Sequence, residues 1–188
     1  MRELLKGPSF FEPFTSFQRT ARRMETRDRY DIPGERESFQ RFLAGEPDDP
    51  DELTKRERWL GNLRAATAAG KRVERVRIVP DPLTDYLRFE IRGTRYNVDF
   101  GEDVRYLDRD RASAIDLPAH DFWVFDASRL MLMYFTADDR HLGSELVTDS
   151  DMVQRHERWV DLAFEHATPH RQYLAEDPSR EDPASGRA

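Results

Sequence analysis

The chain has 188 residues, and its 30 lysines and arginines against 37 aspartates and glutamates give a formal charge of −7. This length fits one domain with small appendages. The acidic balance argues against direct nucleic-acid binding, because such binding needs a basic face that neutralises phosphates. Cysteine is absent, which excludes disulfides, thiolate nucleophiles and cysteine-ligated metal sites.

The first seventy residues have the pattern of helices. Apolar side chains recur at helical spacing from Phe10 to Met24, with arginines on the opposite side. A second helix is predicted over 35–43 and a third over 51–69, separated by Gly-Glu-Pro-Asp-Asp-Pro, which is typical of a loop. We therefore expect residues 1–70 to form an N-terminal helical arm.

The pattern changes after residue 70. Residues 72–79 are rich in β-branched side chains and predict a strand. Residues 83–97 fit two structures: Leu83, Leu87 and Ile91 have the spacing of a helix face, whereas Leu87, Phe89 and Ile91 alternate as in a strand. Pro82 followed by Thr84 is typical of a helix start, so a helix is favoured and a strand stays open.

Four more strands are predicted, over 101–107, 121–126, 129–136 and 141–147, and the short turns between the last three favour an antiparallel meander. A continuous apolar stripe from 152 to 167 predicts a closing helix, capped by Asp149 or Ser150. The expected fold is α+β, with a single mixed or antiparallel sheet of about five strands covered by helices. Residues 71–174 would be this α+β core, and 175–188, which contain no large apolar side chain, a disordered tail.

Sequence motifs for the common enzyme classes are missing. The chain has no Gly-x-Gly-x-x-Gly, no phosphate-binding P-loop, no Gly-x-Ser-x-Gly and no His-Glu-x-x-His. We therefore expect no cofactor and no metal. The chain also has no apolar stretch typical of a secretory signal or a membrane span, so we expect a cytoplasmic protein without membrane contact.

Two predicted elements carry side chains suited to recognition. The candidates for binding a ligand or partner, which combine aromatic area with polar groups, are Tyr86, Arg88, Trp123 and Asp126. An alternative is an acid/base pocket for a small anionic substrate, formed by Asp85, Arg88, Asp126 and His120. Core packing and turn formation explain the same residues without a site, so neither set identifies a function by itself.

Several segments resemble, in order, a widespread actinobacterial family known as a domain of unknown function. They are Phe-Gln-Arg-Phe-Leu-Ala-Gly-Glu-Pro (39–47), Pro-Leu-Thr-Asp-Tyr-Leu-Arg-Phe-Glu (82–90), Gly-Glu-Asp-Val-Arg (101–105), Asp-Phe-Trp-Val-Phe-Asp (121–126) and Arg-Trp-Val-Asp-Leu-Ala (158–163), followed by His166 and Ala167. The likeness covers residues 10–174. Members are often encoded beside helix-turn-helix transcription regulators, so the resemblance implies a role in regulation or signalling and supplies no catalytic residues.

A weaker likeness connects the order strand, helix, strands, helix with half of a phospholipase-D-like domain. The catalytic motif of that family is His-x-Lys, and no histidine of this chain is followed by lysine two places later.

Our first hypothesis is a non-catalytic regulatory or signalling protein that binds a protein partner, such as a helix-turn-helix transcription regulator, or a small ligand. The alternative is an enzyme whose acid/base site acts on a small anionic substrate.

Overall fold

The computed structural model describes residues 4–184 of the chain. The α-helices are α1 (Pro8–Ser16), α2 (Arg36–Leu43), α3 (Glu52–Ala68), α4 (Asp85–Asp99), α5 (Arg109–Ala114), α6 (Ser150–His166) and α7 (His170–Glu176). The strands are β1 (Thr20–Glu25), β2 (Arg72–Val79), β3 (Glu102–Asp108), β4 (Phe122–Phe125), β5 (Arg129–Phe135), β6 (His141–Val147) and β7 (Thr168–Pro169). Short 3₁₀ helices lie at Pro33–Glu35 and Pro178–Glu181.

One mixed sheet contains all seven strands of the described residues, in the order β6-β5-β4-β1-β2-β3-β7. The centre is parallel, because β2 pairs in parallel with β1 on one side and with β3 on the other. The predicted meander of β4, β5 and β6 is confirmed as antiparallel, and β4 joins it to β1. The α+β class and the single mixed sheet are therefore confirmed, whereas the expected number of about five strands is too low.

The N-terminal prediction is wrong in one important respect. The helix expected from Phe10 to Met24 ends at Ser16, and the rest of that segment is β1, which lies between β4 and β2. Ala21 and Met24 are three residues apart, which resembles helical spacing, but in the strand they face opposite sides of the sheet. The first seventy residues therefore contribute a central strand and are not only a helical arm.

Helix α6 covers one face of the sheet. Its buried residues Val153, Val160 and Ala163 pack on apolar side chains of the central strands, including Met24 and Phe122. The predicted cap of α6 is confirmed, because the carboxylate of Asp149 accepts a hydrogen bond from the backbone N–H of Met152 at 2.9 Å. This face is a closed hydrophobic core.

Helices α1 and α3 cover part of the opposite face, where Phe17, Leu63 and Trp123 form a second apolar cluster. The favoured helix at 83–97 is confirmed as α4, with Thr84 as the N-cap that accepts from the N–H of Leu87. Helix α4 packs beside β3 and leaves an opening between itself, α1 and α3. That opening contains the candidate site.

Much of the segment expected to be a disordered tail is ordered. Helix α7 extends to Glu176, and the 3₁₀ helix at Pro178–Glu181 lies against α4. The backbone carbonyl of Ser179 accepts a hydrogen bond from Arg88 at 2.8 Å. The last residues of the expected tail, 185–188, lie outside the described residues.

In the described part of the chain, no helix has both the length and the apolar character needed to cross a membrane.

Candidate functional site

A cleft of about 570 Å³ opens on the sheet face opposite α6. Helices α1, α3 and α4 and the 3₁₀ helix at Pro33–Glu35 surround it, and strands β1, β2, β4 and β5 contribute side chains to its lining. Its volume falls in the range of about 300–1,000 Å³ that small-molecule sites occupy. The cleft combines an aromatic wall with a floor of buried charges.

Strand geometry explains why the floor is charged. Side chains alternate between the two faces of a strand, so Arg23 and Glu25 of β1 lie on the same face. The parallel register pairs Arg23 with Arg75 and Glu25 with Arg77. Four charged residues of two neighbouring strands therefore meet on the cleft side of the sheet.

Glu25 is the centre of this floor. Arg77 donates from Nε to Oε2 of Glu25 at 2.7 Å, and Nη1 of Arg23 lies 2.8 Å from Oε1. Burial alone would raise the pKa of Glu25, but the guanidinium groups of Arg23, Arg77 and Arg75 outweigh it and hold the pKa well below its usual range. Glu25 is only 1% exposed, and at neutral pH it is ionised and paired with its arginines.

A second set of polar contacts extends the floor towards β3 and α4. Arg75 binds both carboxylate oxygens of Glu102, at 2.8 Å from Nε to Oε1 and 3.1 Å from Nη2 to Oε2. Asn97 of α4 donates to the same carboxylate at 2.6 Å. Arg77 also donates to Glu90 of α4 at 2.9 Å, so the floor ties α4 to the sheet.

Glu35 lies at the edge of the cleft and differs from the other carboxylates. Burial and the charge of Glu90 raise the pKa of Glu35 to about 7. Its Oε2 accepts a hydrogen bond from the hydroxyl of Tyr86 at 3.0 Å. The nearby guanidinium of Arg56 is shared, since Arg56 also donates to Glu52 at 2.5 Å. Glu35 therefore exchanges a proton near neutral pH.

Aromatic rings form a wall of the cleft beside the charged floor. Phe14 of α1 contacts Trp123 of β4 edge to face, with ring centroids 4.9 Å apart, and Trp59 of α3 lies 6.2 Å from Trp123. The guanidinium of Arg23 lies over the ring of Trp123, 5.3 Å from its centroid, and so joins the wall to the floor. The half-buried rings of Phe14 and Trp59 offer apolar surface to a bound molecule.

Two of the six residues singled out from the sequence come to this cleft. Trp123 lines it directly, and Tyr86 reaches it through the hydrogen bond to Glu35. Asp85 and Arg88, on the same helix as Tyr86, contact instead the C-terminal segment, where Asp85 accepts from the N–H of Ala184 at 2.8 Å.

The other two candidates lie elsewhere. Asp126 accepts hydrogen bonds at 2.6–3.0 Å from three consecutive backbone N–H groups that lead into β1, those of Gln18, Arg19 and Thr20. His120 lies on the α6 side of the sheet, with its Nε2 3.1 Å from Nε2 of His156. Burial lowers the pKa of both histidines. Asp85, Arg88, Asp126 and His120 therefore have separate partners.

The charged residues of the floor did not emerge from the sequence as a site. One signal was present in β2, where Arg75 and Arg77 alternate with Val76 and Ile78. In a central strand this alternation places both arginines on one buried face, where each needs a carboxylate. The partners could not be identified, because they come from β1, β3 and α4.

Comparison with solved structures gives a distant likeness. One match is a structure described as that of TrmBL2, an archaeal chromatin protein with a novel mode of DNA binding, at 11% sequence identity and a TM-score of 0.44. The match covers 84% of this chain and 47% of that one, so the chain spans about half the length of this structural neighbour. No curated protein matches the chain. A family model described as "Domain of unknown function (DUF6879)" matches residues 8–175, and the chain therefore belongs to this family.

Proposed function

We propose that this protein is a non-catalytic regulatory or signalling protein that binds a small ligand in the central cleft. The observation that supports this proposal is the cleft itself, in which aromatic walls face a floor of fixed ion pairs. Such a site needs little rearrangement to bind a molecule, because the neighbouring contacts already hold its polar groups in place.

The floor also retains unused hydrogen-bonding capacity. Nε of Arg23 is a buried donor without an acceptor among the described residues. Buried donors in folded proteins nearly always have a partner, so we expect a water molecule or a polar ligand atom in the cleft to accept from this N–H. Arg23 lies between Glu25 and the ring of Trp123, where the polar floor meets the aromatic wall.

Ligand binding would be coupled to the rest of the molecule through the elements around the cleft. A molecule in the cleft contacts α1, α3 and the sheet together, and a ligand that prefers one arrangement of these helices shifts the population towards it. A protein partner would recognise the changed arrangement of these helices at the surface. The expectation that actinobacterial members are encoded beside helix-turn-helix regulators makes such a regulator the candidate partner.

A cleft-filling variant tests the proposal. Asn62 is an exposed residue of α3 that lines the cleft, so Asn62→Trp should occupy part of the ligand volume without disturbing the core. Glu57→Trp, on the same helix but outside the cleft, is the matched control. We expect a library of small polar aromatic and aliphatic molecules to contain binders that change the fluorescence of Trp59 and Trp123. Binding should be lost in Asn62→Trp and retained in Glu57→Trp. Binders whose affinity is unchanged in Asn62→Trp, or a library without binders, would contradict the proposal.

The alternative function, an enzyme with an acid/base site for a small anionic substrate, has one observation in its favour. The pKa of Glu35, raised to about 7, suits a general acid or base at neutral pH, and this carboxyl lines the same cleft. Incubating each binder with the protein and recovering it for mass spectrometry separates the two functions. Unchanged ligand supports binding alone, and conversion that disappears in Glu35→Gln supports the enzyme.

A further inference from the structure

The buried charges around the cleft are unequal in number. Within residues 4–184, four guanidinium groups and five carboxylates lie close together around the floor of the cleft, linked by ion pairs or by the charge interactions of Glu35. The guanidinium groups belong to Arg23, Arg56, Arg75 and Arg77, and the carboxylates to Glu25, Glu35, Glu52, Glu90 and Glu102. Among these nine groups the carboxylates therefore outnumber the guanidinium groups by one, and the other two cations that line the cleft, Lys55 and Arg58, are exposed to solvent.

The excess negative charge falls on Glu35. The groups that face it are Tyr86 and Glu90 from α4, Arg56 from α3 and Arg77 from β2. Each of these two arginines already has its own closer carboxylate, Glu52 for Arg56 and Glu25 for Arg77. Burial and Glu90 raise the pKa of Glu35 to about 7, so without a ligand a proton supplies the missing positive charge over much of the physiological range.

We infer that the cleft binds an organic cation, whose ammonium or guanidinium group pairs with Glu35 and whose apolar part lies against the aromatic wall. This inference rests on the proposed ligand-binding function and specifies the class of ligand. The second oxygen of Glu35, Oε1, receives no hydrogen bond from the described residues and is available to the cation.

An anionic ligand fits the buried floor less well. The guanidinium groups of Arg75 and Arg77 are already bound by Glu102, Glu25 and Glu90, so an anion would have to displace a carboxylate. Arg58, which lines the rim and lies over the ring of Phe11, is exposed, and solvent screens its charge. A cation, in contrast, replaces only the proton of Glu35.

The aromatic wall fits the same class of ligand. Rings attract cations through their faces, and an apolar body beside the charge gains from leaving water. Phe14 and Trp59 supply half-buried rings on the wall, whereas arginines of the protein already lie over the rings of Trp123, Tyr30 and Phe135. A ligand with one positive charge and one aromatic or aliphatic group would use both parts of the cleft.

Three probes of similar shape test the inference on the full chain: 2-phenylethylamine, 2-phenylethanol and phenylacetate. Tryptophan fluorescence and calorimetry should show that the amine binds above pH 7 at least about tenfold more tightly than the alcohol or the acid. The affinity of the protein for 2-phenylethylamine should fall about tenfold for each pH unit below the pKa of Glu35, since the proton and the amine compete for one carboxylate. Binding at neutral pH should release protons, measured by calorimetry in buffers of different ionisation enthalpy.

Two variants distinguish a specific effect of Glu35 from the general effect of removing a negative charge. Glu35→Gln should abolish the preference for the amine and the proton release, whereas Glu37→Gln, an exposed neighbour on α2, should retain both. Equal binding of all three probes, preference for phenylacetate or failure of all three to bind would overturn the inference. If other molecules still bind the cleft and are blocked by Asn62→Trp, the proposed ligand-binding function stands and only the assignment to cations fails.

Discussion

Glu25 is the residue on which the cleft floor depends most. Three arginines surround this carboxylate, and each of them is charged at any physiological pH. Guanidinium groups suit this position because their planar donors bind two carboxylates at once, as Arg77 does with Glu25 and Glu90. A buried network of this kind is stable only while every charge has its partner.

Glu25→Gln is therefore expected to destabilise the protein by about 3–5 kcal/mol, because it leaves buried arginines without their counter-charge. Chemical denaturation measures this loss, with Glu57→Gln on the surface of α3 as control. The folded-state pKa of Glu25 lies below its ordinary value of 4.5, so its stabilisation is complete above that pH and declines on acidification. The difference between parent and variant should shrink in acid. A variant as stable as the parent at neutral pH would contradict this account of the floor.

Glu35→Gln should have the opposite effect. The folded-state pKa of Glu35 is about 7 against an ordinary 4.5, so between these values the folded protein holds a proton that the unfolded chain has lost. Stability contributed by this residue therefore falls as pH rises through that window. Above pH 7 the glutamine variant should be more stable than the parent by roughly 2–3 kcal/mol, and below pH 4.5 about equally stable. Denaturation at several pH values checks this, and an identical pH profile for parent and variant would count against it; Glu37→Gln should follow the parent.

Secondary-structure elements differ in how far residues close in sequence determine where they begin and end. Helices α4 and α6 begin at the residues that the sequence indicates, because Thr84 and Asp149 cap them through contacts within four residues. Strand β1 has no such local signal. Its cleft side carries Arg23 and Glu25, whose burial is favourable only beside β2.

The cap of α6 gives a prediction at this scale. Asp149→Ala removes the acceptor for the N–H of Met152 and should cost about 1 kcal/mol of the free energy of unfolding. Asp151→Ala, which changes an exposed residue in the first turn of the same helix, should lower the free energy of unfolding by only about 0.3 kcal/mol. Thermal and chemical unfolding of both variants decides between a cap and a general charge effect, since equal losses would exclude the cap.

At the scale of the whole molecule, the order of strands joins distant parts of the chain. Strand β1 comes from the first thirty residues, yet it lies between β4 and β2 and separates the meander from the parallel strands. Without β1, the chain from residue 71 onwards loses the pairing that connects the two halves of its sheet. The cleft also disappears, because α1, α3 and Glu35 belong to the missing part.

A fragment of residues 71–188 is therefore not expected to fold. Its two-dimensional NMR spectrum should lack the dispersion of a packed protein, and its thermal unfolding should show no cooperative transition. Adding residues 1–70 as a separate fragment should restore both, since it supplies β1. A fragment that folds alone would mean that the meander and the parallel strands associate without the central strand.

Local sequence patterns were sufficient for much of the architecture. They predicted strands β2 to β6, the meander, helices α2, α3, α4 and α6 and the α+β class, because periodicity and caps depend on neighbouring residues. The sequence also carried the resemblance to the family. Trp123 and Tyr86 are candidates from the sequence because aromatic residues with polar groups stand out in a short segment, and both lie at the cleft.

Only the tertiary structure decided the position of β1, the parallel pairing and the charged cleft. The physical reason is distance along the chain: Glu25 and Arg77 are 52 residues apart, and the alternation of arginines with apolar residues in β2 does not identify the carboxylate that Arg77 binds. A buried charge is stable only next to an opposite charge, and that neighbour is chosen by strand register and sheet order. Local sequence patterns determined most of the helices and strands, and the packing of these elements with β1 determined which charges meet in the cleft.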